Sequence, residues 1–441
     1  MSFHKDAPSQ PYGKLITQAW LPLAASWLLM GLERPIVSAL MARLEDPAIN
    51  LAAYASVVFP LSVLIESPII MILAASTALS KDWTWYCFLR NIMVGIATAL
   101  TLLHAIVAFT PLFDFIVLTV LKIPDAVVEP ARLGMMLMTP WTASIAIRRF
   151  QQGVLIRFER SEWIGIGTLI RLTALCAGLS LGFRAESPSG IVVATFAISL
   201  GVLSEAIFIR IGVQPILNQL KHTPVNNTMD HPQFRKFLQF YIPLATTPLL
   251  SMLALPITSA ALSRLPLPIY SFAVWPTLGG LVFLFNSIGL AYQEVVVALI
   301  EKPNYFHPLR RFTIQLAVAN SAILFLVTIS PLSEFWFVTV SGLSQNLSEL
   351  AQSALPLAIL LPGLNVIQSW YQGILVHSHE TRGIIEAMAL YVLVSAIILG
   401  GGIYFGTVTG IYMGYIASLS GFTAQIIWLR FRCRRFLKFK I

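Results

Sequence analysis

An acid, a base and a proline stand side by side at Glu33-Arg34-Pro35, inside a stretch from Leu21 to Leu44 that is otherwise almost entirely apolar. A carboxylate can take a proton or a cation, and a guanidinium can grip a phosphate or carboxylate solute through two parallel hydrogen bonds. Either can also hold the other in a plain ion pair. The proline removes one backbone hydrogen bond and bends a helix. Five more ionisable groups lie in equally apolar surroundings: Glu66, two residues before Pro68, then Arg171, Glu205, Glu294 and Glu386. At the centre of a bilayer each charge costs about 2.5–3.5 kcal/mol, so such groups face protein or a water-filled cavity and mark function by default. Seven of them facing lipid would cost on the order of 20 kcal/mol, more than the roughly 5–15 kcal/mol that stabilises a domain. They must be paired, neutralised or wetted. Acids left without partners there suit coupling to H+ or Na+.

The elements that carry these residues are membrane spans. The chain is 57% hydrophobic and 11% charged, whereas ordinary soluble domains are about 25% charged. Apolar runs of about 18 residues or more recur along it. The N-terminus is polar and the first apolar run is too long for a signal peptide. Cys87, Cys176 and Cys433 are isolated and propose neither a disulfide framework nor a metal site. There is no Walker A loop, no HExxH, no nucleophile elbow and no cluster of His or Cys, so no enzyme class and no catalytic residue is indicated.

Twelve spans are expected, at roughly 12–43, 48–79, 84–110, 126–156, 162–183, 189–217, 234–265, 267–299, 306–330, 346–376, 381–403 and 408–431. With the N-terminus on one face, 22 of the 29 Lys and Arg fall on that face and five on the other, while Arg34 and Arg171 stay inside. This bias predicts a multi-pass protein of the cytoplasmic (inner) membrane with both termini in the cytoplasm. The formal charge of +9 is therefore a topology signal rather than a nucleic-acid footprint. The basic C-terminal end suits anionic headgroups.

The chain is written twice. Gln18–Leu44 overlays Gln239–Leu265 at a shift of 221, with Pro22/Pro243, Pro35/Pro256 and Arg43/Arg264 among the matches. At a shift of 220, Gln152-Gly153-Val154-Leu155 meets Gln372-Gly373-Ile374-Leu375, and Gly190, Gly201 and Arg210 meet Gly410, Gly421 and Arg430. Six spans per half is an even number, so both halves enter from the same side and form parallel repeats. The expected organisation is a first lobe over 1–218, a cytoplasmic linker over 219–233 rich in Pro and Asn, and a second lobe over 234–441.

Differences between the repeats point towards function. Glu33-Arg34 maps onto Ala254-Leu255, Glu66 onto Asn286, Arg171 onto Tyr391 and Glu205 onto Gln425. The first half thus supplies Glu33, Arg34, Glu66, Arg171 and Glu205 to a candidate site for solute and coupling ion. The second half answers with Asn286, Glu294, Gln368 and Gln372, beside Asn365 and Gln425. Glu66 is the expected partner of Arg34. For Glu205 and Glu386 a structural salt bridge is an equal reading. Arg148 and Arg149 read either as topology anchors or as the inner mouth of an anion path, and Arg132, at the opposite end of the same span, has the same two readings. Pro35 and Pro68, beside charges, are the expected hinges. His104 reads as packing.

Four strings carry a resemblance, one of them to one family and three to another. Gln151-Gln152-Gly153-Val154-Leu155-Ile156-Arg157 resembles the signature that ends the fourth span of MATE transporters, of the multidrug/oligosaccharidyl-lipid/polysaccharide exporter superfamily. Arg34-Pro35-Ile36-Val37-Ser38, Leu51-Ala52-Ala53-Tyr54 and Phe240-Tyr241-Ile242-Pro243-Leu244-Ala245 are similar to strings of the progressive ankylosis (ANK) family, linked to export of pyrophosphate, ATP and citrate. The resemblance implies an all-α, MATE-like fold of twelve helices in two six-helix lobes. It also implies a monomeric alternating-access exporter or antiporter of small anions, with the bilayer and the solute as its partners and no cofactor. A multidrug or lipid-linked saccharide exporter of the same fold remains open, as does a polytopic scaffold or scramblase.

Overall fold

The computed structural model describes residues 12–185, 189–222, 232–300, 304–378, 380 and 382–438. Most of the expected linker, residues 223–231, lies outside them. Every one of the twelve expected spans is helical among the described residues. Among the described residues, nine helices are long and apolar enough to cross a membrane, and a tenth is counted when Gln345–Ala358 and Leu361–His377, bent by 40°, are taken as one. The chain is an all-helical membrane protein. The fourth and twelfth spans are not in that number: the fourth is cut into Asp125–Leu137 and Thr139–Arg157, the second of which carries arginines and glutamines, and the twelfth, Gly410–Lys438, ends in a basic stretch.

Helix interruptions follow the prolines. The first span breaks between Gly31 and Glu33, one turn before Pro35, whose missing N–H leaves the Gly31 carbonyl without its helical donor. The second span, Pro47–Leu79, breaks at Met71, three residues after Pro68. Pro60 removes another donor, and the ladder widens to a π turn over Tyr54–Val58 that ends with the Phe59 amide donating to the Tyr54 carbonyl.

The repeat is visible in backbone and contacts alike. A π turn over Phe115–Val120 recurs as Phe335–Val340. Ser67 donates to the Leu64 carbonyl at 2.7 Å, and Ser287 to Leu284 at 2.6 Å. Glycines at helix crossings repeat with their neighbours. Gly153 lies against Leu73 and Ser76, and Gly373 against Gln293 and Val296; Gly201 lies against Arg171 and Leu175, and Gly421 against Tyr391 and Ser395. Each of these pairs is offset by 220 positions. Backbones that meet this closely leave no room for a Cβ, which is why glycine stands at both copies.

Compact units and repeat halves divide the chain differently. One unit comprises the chain up to Ile36 together with Pro276–Ile441, and the other comprises Val37–Trp275. In the first, Ile16 is fully buried in a core with Tyr292, Val296, Leu309, Trp370 and Leu429. Trp20 fixes the same helix by donating to the Ile288 carbonyl at 3.1 Å. In the second, the seventh span, Phe234–Leu262, docks through Tyr241, whose hydroxyl donates to the Pro68 carbonyl at 2.7 Å. Its far end is tied down by Arg264, which donates to the Val120 carbonyl at 2.7 Å and the Leu121 carbonyl at 3.1 Å.

Candidate functional site

The unit over Val37–Trp275 buries a charged cluster that starts from the break in the fourth span. Pro140 ends the continuous helix there, and the turn at Met138 frees backbone carbonyls in an apolar interior. Buried side chains take them. His104 donates through Nε2 to the Met135 carbonyl at 3.0 Å and accepts at Nδ1 from Thr142 at 3.1 Å, while Ser199 donates to the Leu137 carbonyl at 3.0 Å. His104 is thus more than packing: it clamps both sides of the break. The helix restarted at Thr139 is aimed by these contacts.

That helix presents Arg148 and Gln152, one turn apart, to the sixth span. Arg148 Nη1 donates to Glu205 Oε2 at 3.0 Å and Gln152 Nε2 to Glu205 Oε1 at 3.1 Å. Arg171, from the fifth span, brings Nη1 to 3.8 Å from Glu205 Oε2. The Glu205 side chain is 0% exposed and that of Arg148 9%. Gly167 lets the fifth and sixth spans meet beside Glu205, since a Cβ there would lie 2.9 Å from Ile209 Cδ1. On the opposite side Gly153 lets the second span approach. That span carries Glu66, which is buried, and the guanidinium groups acting on its carboxyl are those of Arg148 and Arg149.

Three guanidinium groups and two acids leave this cluster at least one positive charge in excess, in surroundings that screen charge poorly. Some of its valences stay open. Among the described residues, Glu66 Oε2, Gln151 Oε1 and the Nε atoms of Arg148 and Arg149 are buried without hydrogen-bond partners. A buried cationic group with open donor capacity can hold an anion. Moved 220 positions on, Glu66, Arg148, Arg149, Arg171 and Glu205 become Asn286, Gln368, Ser369, Tyr391 and Gln425. The second copy is neutral throughout, whereas Gln152 and Gly153 are kept as Gln372 and Gly373.

The other expected site residues are spread over both units. Glu33 and Arg34 belong to the unit that holds the second half, Glu66 to the other unit. Arg34 lies over the Phe283 ring, 4.7 Å from its centroid. Glu294 accepts from Trp27 Nε1 at 3.0 Å. Asn365 and Gln368 are buried and Asn286 and Gln372 half-buried, and the side-chain oxygens of Asn286, Asn365 and Gln368 lack donors among the described residues. Glu386 forms a separate group at a helix end, with Arg432 at 3.3 Å and Trp428 Nε1 at 3.1 Å. Arg132 is held by Asp114, by Glu129 at 3.5 Å and by the Phe113 ring. The sequence reading missed Gln152 as a ligand of Glu205. Its signal was present in the Gln-Gly string that marks both repeats.

No protein-family model and no curated protein sequence matches the chain. Solved structures do share its fold. A multidrug resistance MATE family transporter of the MOP superfamily, in an inward-facing conformation, superposes with a TM-score of 0.65 at 14% identity, covering 96% of this chain and 99% of that one. The lipid II flippase MurJ, inward closed, gives 0.69 at 16% identity over 96% of this chain and 87% of that one. A MOP superfamily transporter from Pyrococcus furiosus, described as having a binding pocket of reversed polarity, gives 0.66 at 13% identity over 99% and 100%. The fold is therefore MATE-like over the whole chain.

Proposed function

We propose that this protein is an alternating-access secondary transporter that exports small organic or phosphate-type anions such as pyrophosphate, citrate or nucleotide-like solutes. The observation that carries this reading is the buried cluster of Arg148, Arg149, Arg171, Glu66 and Glu205, with its surplus positive charge. Arg148 and Arg149 would bind the anion, while Glu205 and Gln152 hold Arg148 and Arg171 in place. Glu33, Arg34, Asn286, Glu294, Gln368 and Gln372 would contact solute or coupling ion elsewhere on its route, and H+ or Na+ would supply the coupling. Pro35 and Pro68 would bend as access alternates.

The same fold serves a lipid II flippase, and a cationic interior also suits the anionic head of a lipid-linked saccharide; that is the second reading. A purely multidrug role for cationic compounds is disfavoured by the sign of the cluster. The test is flux of labelled pyrophosphate, citrate and a cationic dye into vesicles reconstituted with the purified protein, under imposed pH and sodium gradients. Saturable flux of either anion supports the proposal, and flux of the dye alone overturns it.

A further inference from the structure

We infer that the anion and a proton occupy this cluster together, so that the two cross the membrane in the same direction and export is driven by the anion's own gradient and charge, with the proton carried along. The inference rests on the anion reading above and adds the identity of the coupling group, Glu66, and the sign of the coupling.

The two acids of the cluster are held differently. Both oxygens of Glu205 are occupied, one by Gln152 and the other by Arg148, with Arg171 beyond. Its charge is part of the scaffold. Glu66 is also buried, at 6% exposure. Yet its Oε2 has no hydrogen-bond partner among the described residues, and none of the ion pairs found there includes it. It sits within the field of Arg148 and Arg149 without being clasped by either.

An anion that docks on Arg149 and the open donor of Arg148 meets this carboxyl. Ionised, Glu66 repels the anion and competes for the same two cations. Protonated, it does neither, and its O–H becomes a donor that an anion oxygen can accept. Proton and anion therefore favour each other, and the linkage is reciprocal. For a cationic solute the sign would be opposite, because solute and proton would compete for one carboxylate. The step is a plain proton transfer: water on the loading side supplies the proton to Glu66 Oε2, and it returns to water when the anion leaves on the far side. No bond to the solute forms or breaks.

Other titratable groups on elements packed against the second span already have partners or lie at helix ends. On the third span these are Tyr86, bonded to Gln151, and His104, bonded to Thr142 and Met135; Cys87 and Arg90 lie near its start. On the seventh span Tyr241 is bonded to Pro68, with Arg235 and Lys236 exposed at the start. Tyr54, in the preceding π turn, packs on the Phe59 ring. The charged groups acting on Glu66 are thus the two arginines.

The test has two arms. In the first, pyrophosphate or citrate is titrated into the detergent-purified chain by calorimetry, in buffers of different ionisation heat, which counts protons taken up per anion bound. In buffers alkaline enough for Glu66 to be ionised in the free protein, wild type should take up about one proton more than Glu66→Gln, the variant serving to subtract the anion's own titration. Equal counts with intact binding, or net release of protons, would overturn the inference. In the second arm, which needs no variant, wild-type vesicles hold a pH dye. An inward anion gradient should acidify the lumen; alkalinisation, or flux with no change of pH, overturns the inference while leaving anion transport standing. Failure of wild type to bind or move either anion removes the anion reading itself, and this inference with it.

Discussion

Arg148 and Glu205 meet at 3.0 Å between helices that are far apart in sequence, and the two positions that repeat them, Gln368 and Gln425, are neutral. A buried ion pair is not a cheap way to join helices, because taking two charges out of water costs several kcal/mol per ion before their attraction is counted. The second copy shows that the packing itself can be made without charge. A first copy that carries its ions at this cost is the reason the cluster, rather than the repeat as a whole, is proposed as the place of the solute.

Removing one partner of this pair should be worse than removing both. Glu205→Ala leaves Arg148 and Arg171 facing each other without their shared counter-charge, and should lower stability by about 3–5 kcal/mol. Replacing Arg148 and Glu205 together by Gln copies the second half and should recover most of that loss. The measurement is thermal unfolding in detergent, followed by tryptophan fluorescence. A double variant as unstable as the sum of the two single ones would show that the pair is not coupled.

Arg149 invites the opposite outcome. It forms no ion pair within the bond distances seen for Arg148, and its Nε has no acceptor among the described residues. Arg149→Ala therefore strands no acid in a direct contact, and the unfolding midpoint should stay level or rise. A charge-assisted hydrogen bond to solute is worth about 1.5–3 kcal/mol, so anion affinity should fall by about tenfold or more. Anion flux and calorimetric binding on the same preparation check this. Unchanged affinity in a well-folded variant would remove Arg149 from the site.

The spans and the repeat were legible because a bilayer demands long apolar runs, and because Pro, Gln and Gly recurred at one offset. Local sequence carried both. The role of Arg148 was not legible: a residue near a span end that anchors topology and one that reaches inward to an acid have the same sequence signature. Only the contact with Glu205 separates them. Glu205 and Glu386 shared one reading in the sequence, yet the first is sealed inside three helices and the second lies at a helix end beside Arg432. The seating of Ile16 in a core made by the second half was equally hidden, since an apolar helix does not announce its partner.

Gly153 and Gly373 test the repeat directly. A Cβ at Gly153 would stand 2.7 Å from Ser76 Cβ and press on the Leu73 carbonyl, and one at Gly373 would stand 2.6 Å from Val296 Cγ1. Alanine at either position must push two helices apart, which should cost about 1–3 kcal/mol. A Cβ at Gly165 would meet nothing within 4 Å, so Gly165→Ala should be neutral or stabilising by up to about 1 kcal/mol. Unfolding midpoints of the three variants give the comparison. If Gly153→Ala and Gly165→Ala behave alike, the close crossing does not exist in the membrane.

The boundaries between the two compact units fall beside Pro35, at Ile36/Val37, and at Trp275/Pro276. Both prolines interrupt the hydrogen-bond ladder of a long apolar helix, which makes these the compliant points of the two chain crossings. If access alternates by bending there, Pro35→Ala and Pro276→Ala each restore a backbone donor and stiffen the crossing. Binding of anion should then be unchanged and the unfolding midpoint level or higher, while the flux rate falls several-fold. The double variant should be slower than either single one. Flux from initial rates in vesicles and affinity from calorimetry separate the two effects. Wild-type rates in the double variant would show that the motion bends the chain elsewhere, with Pro68 and the break at Met71 as the next place to stiffen.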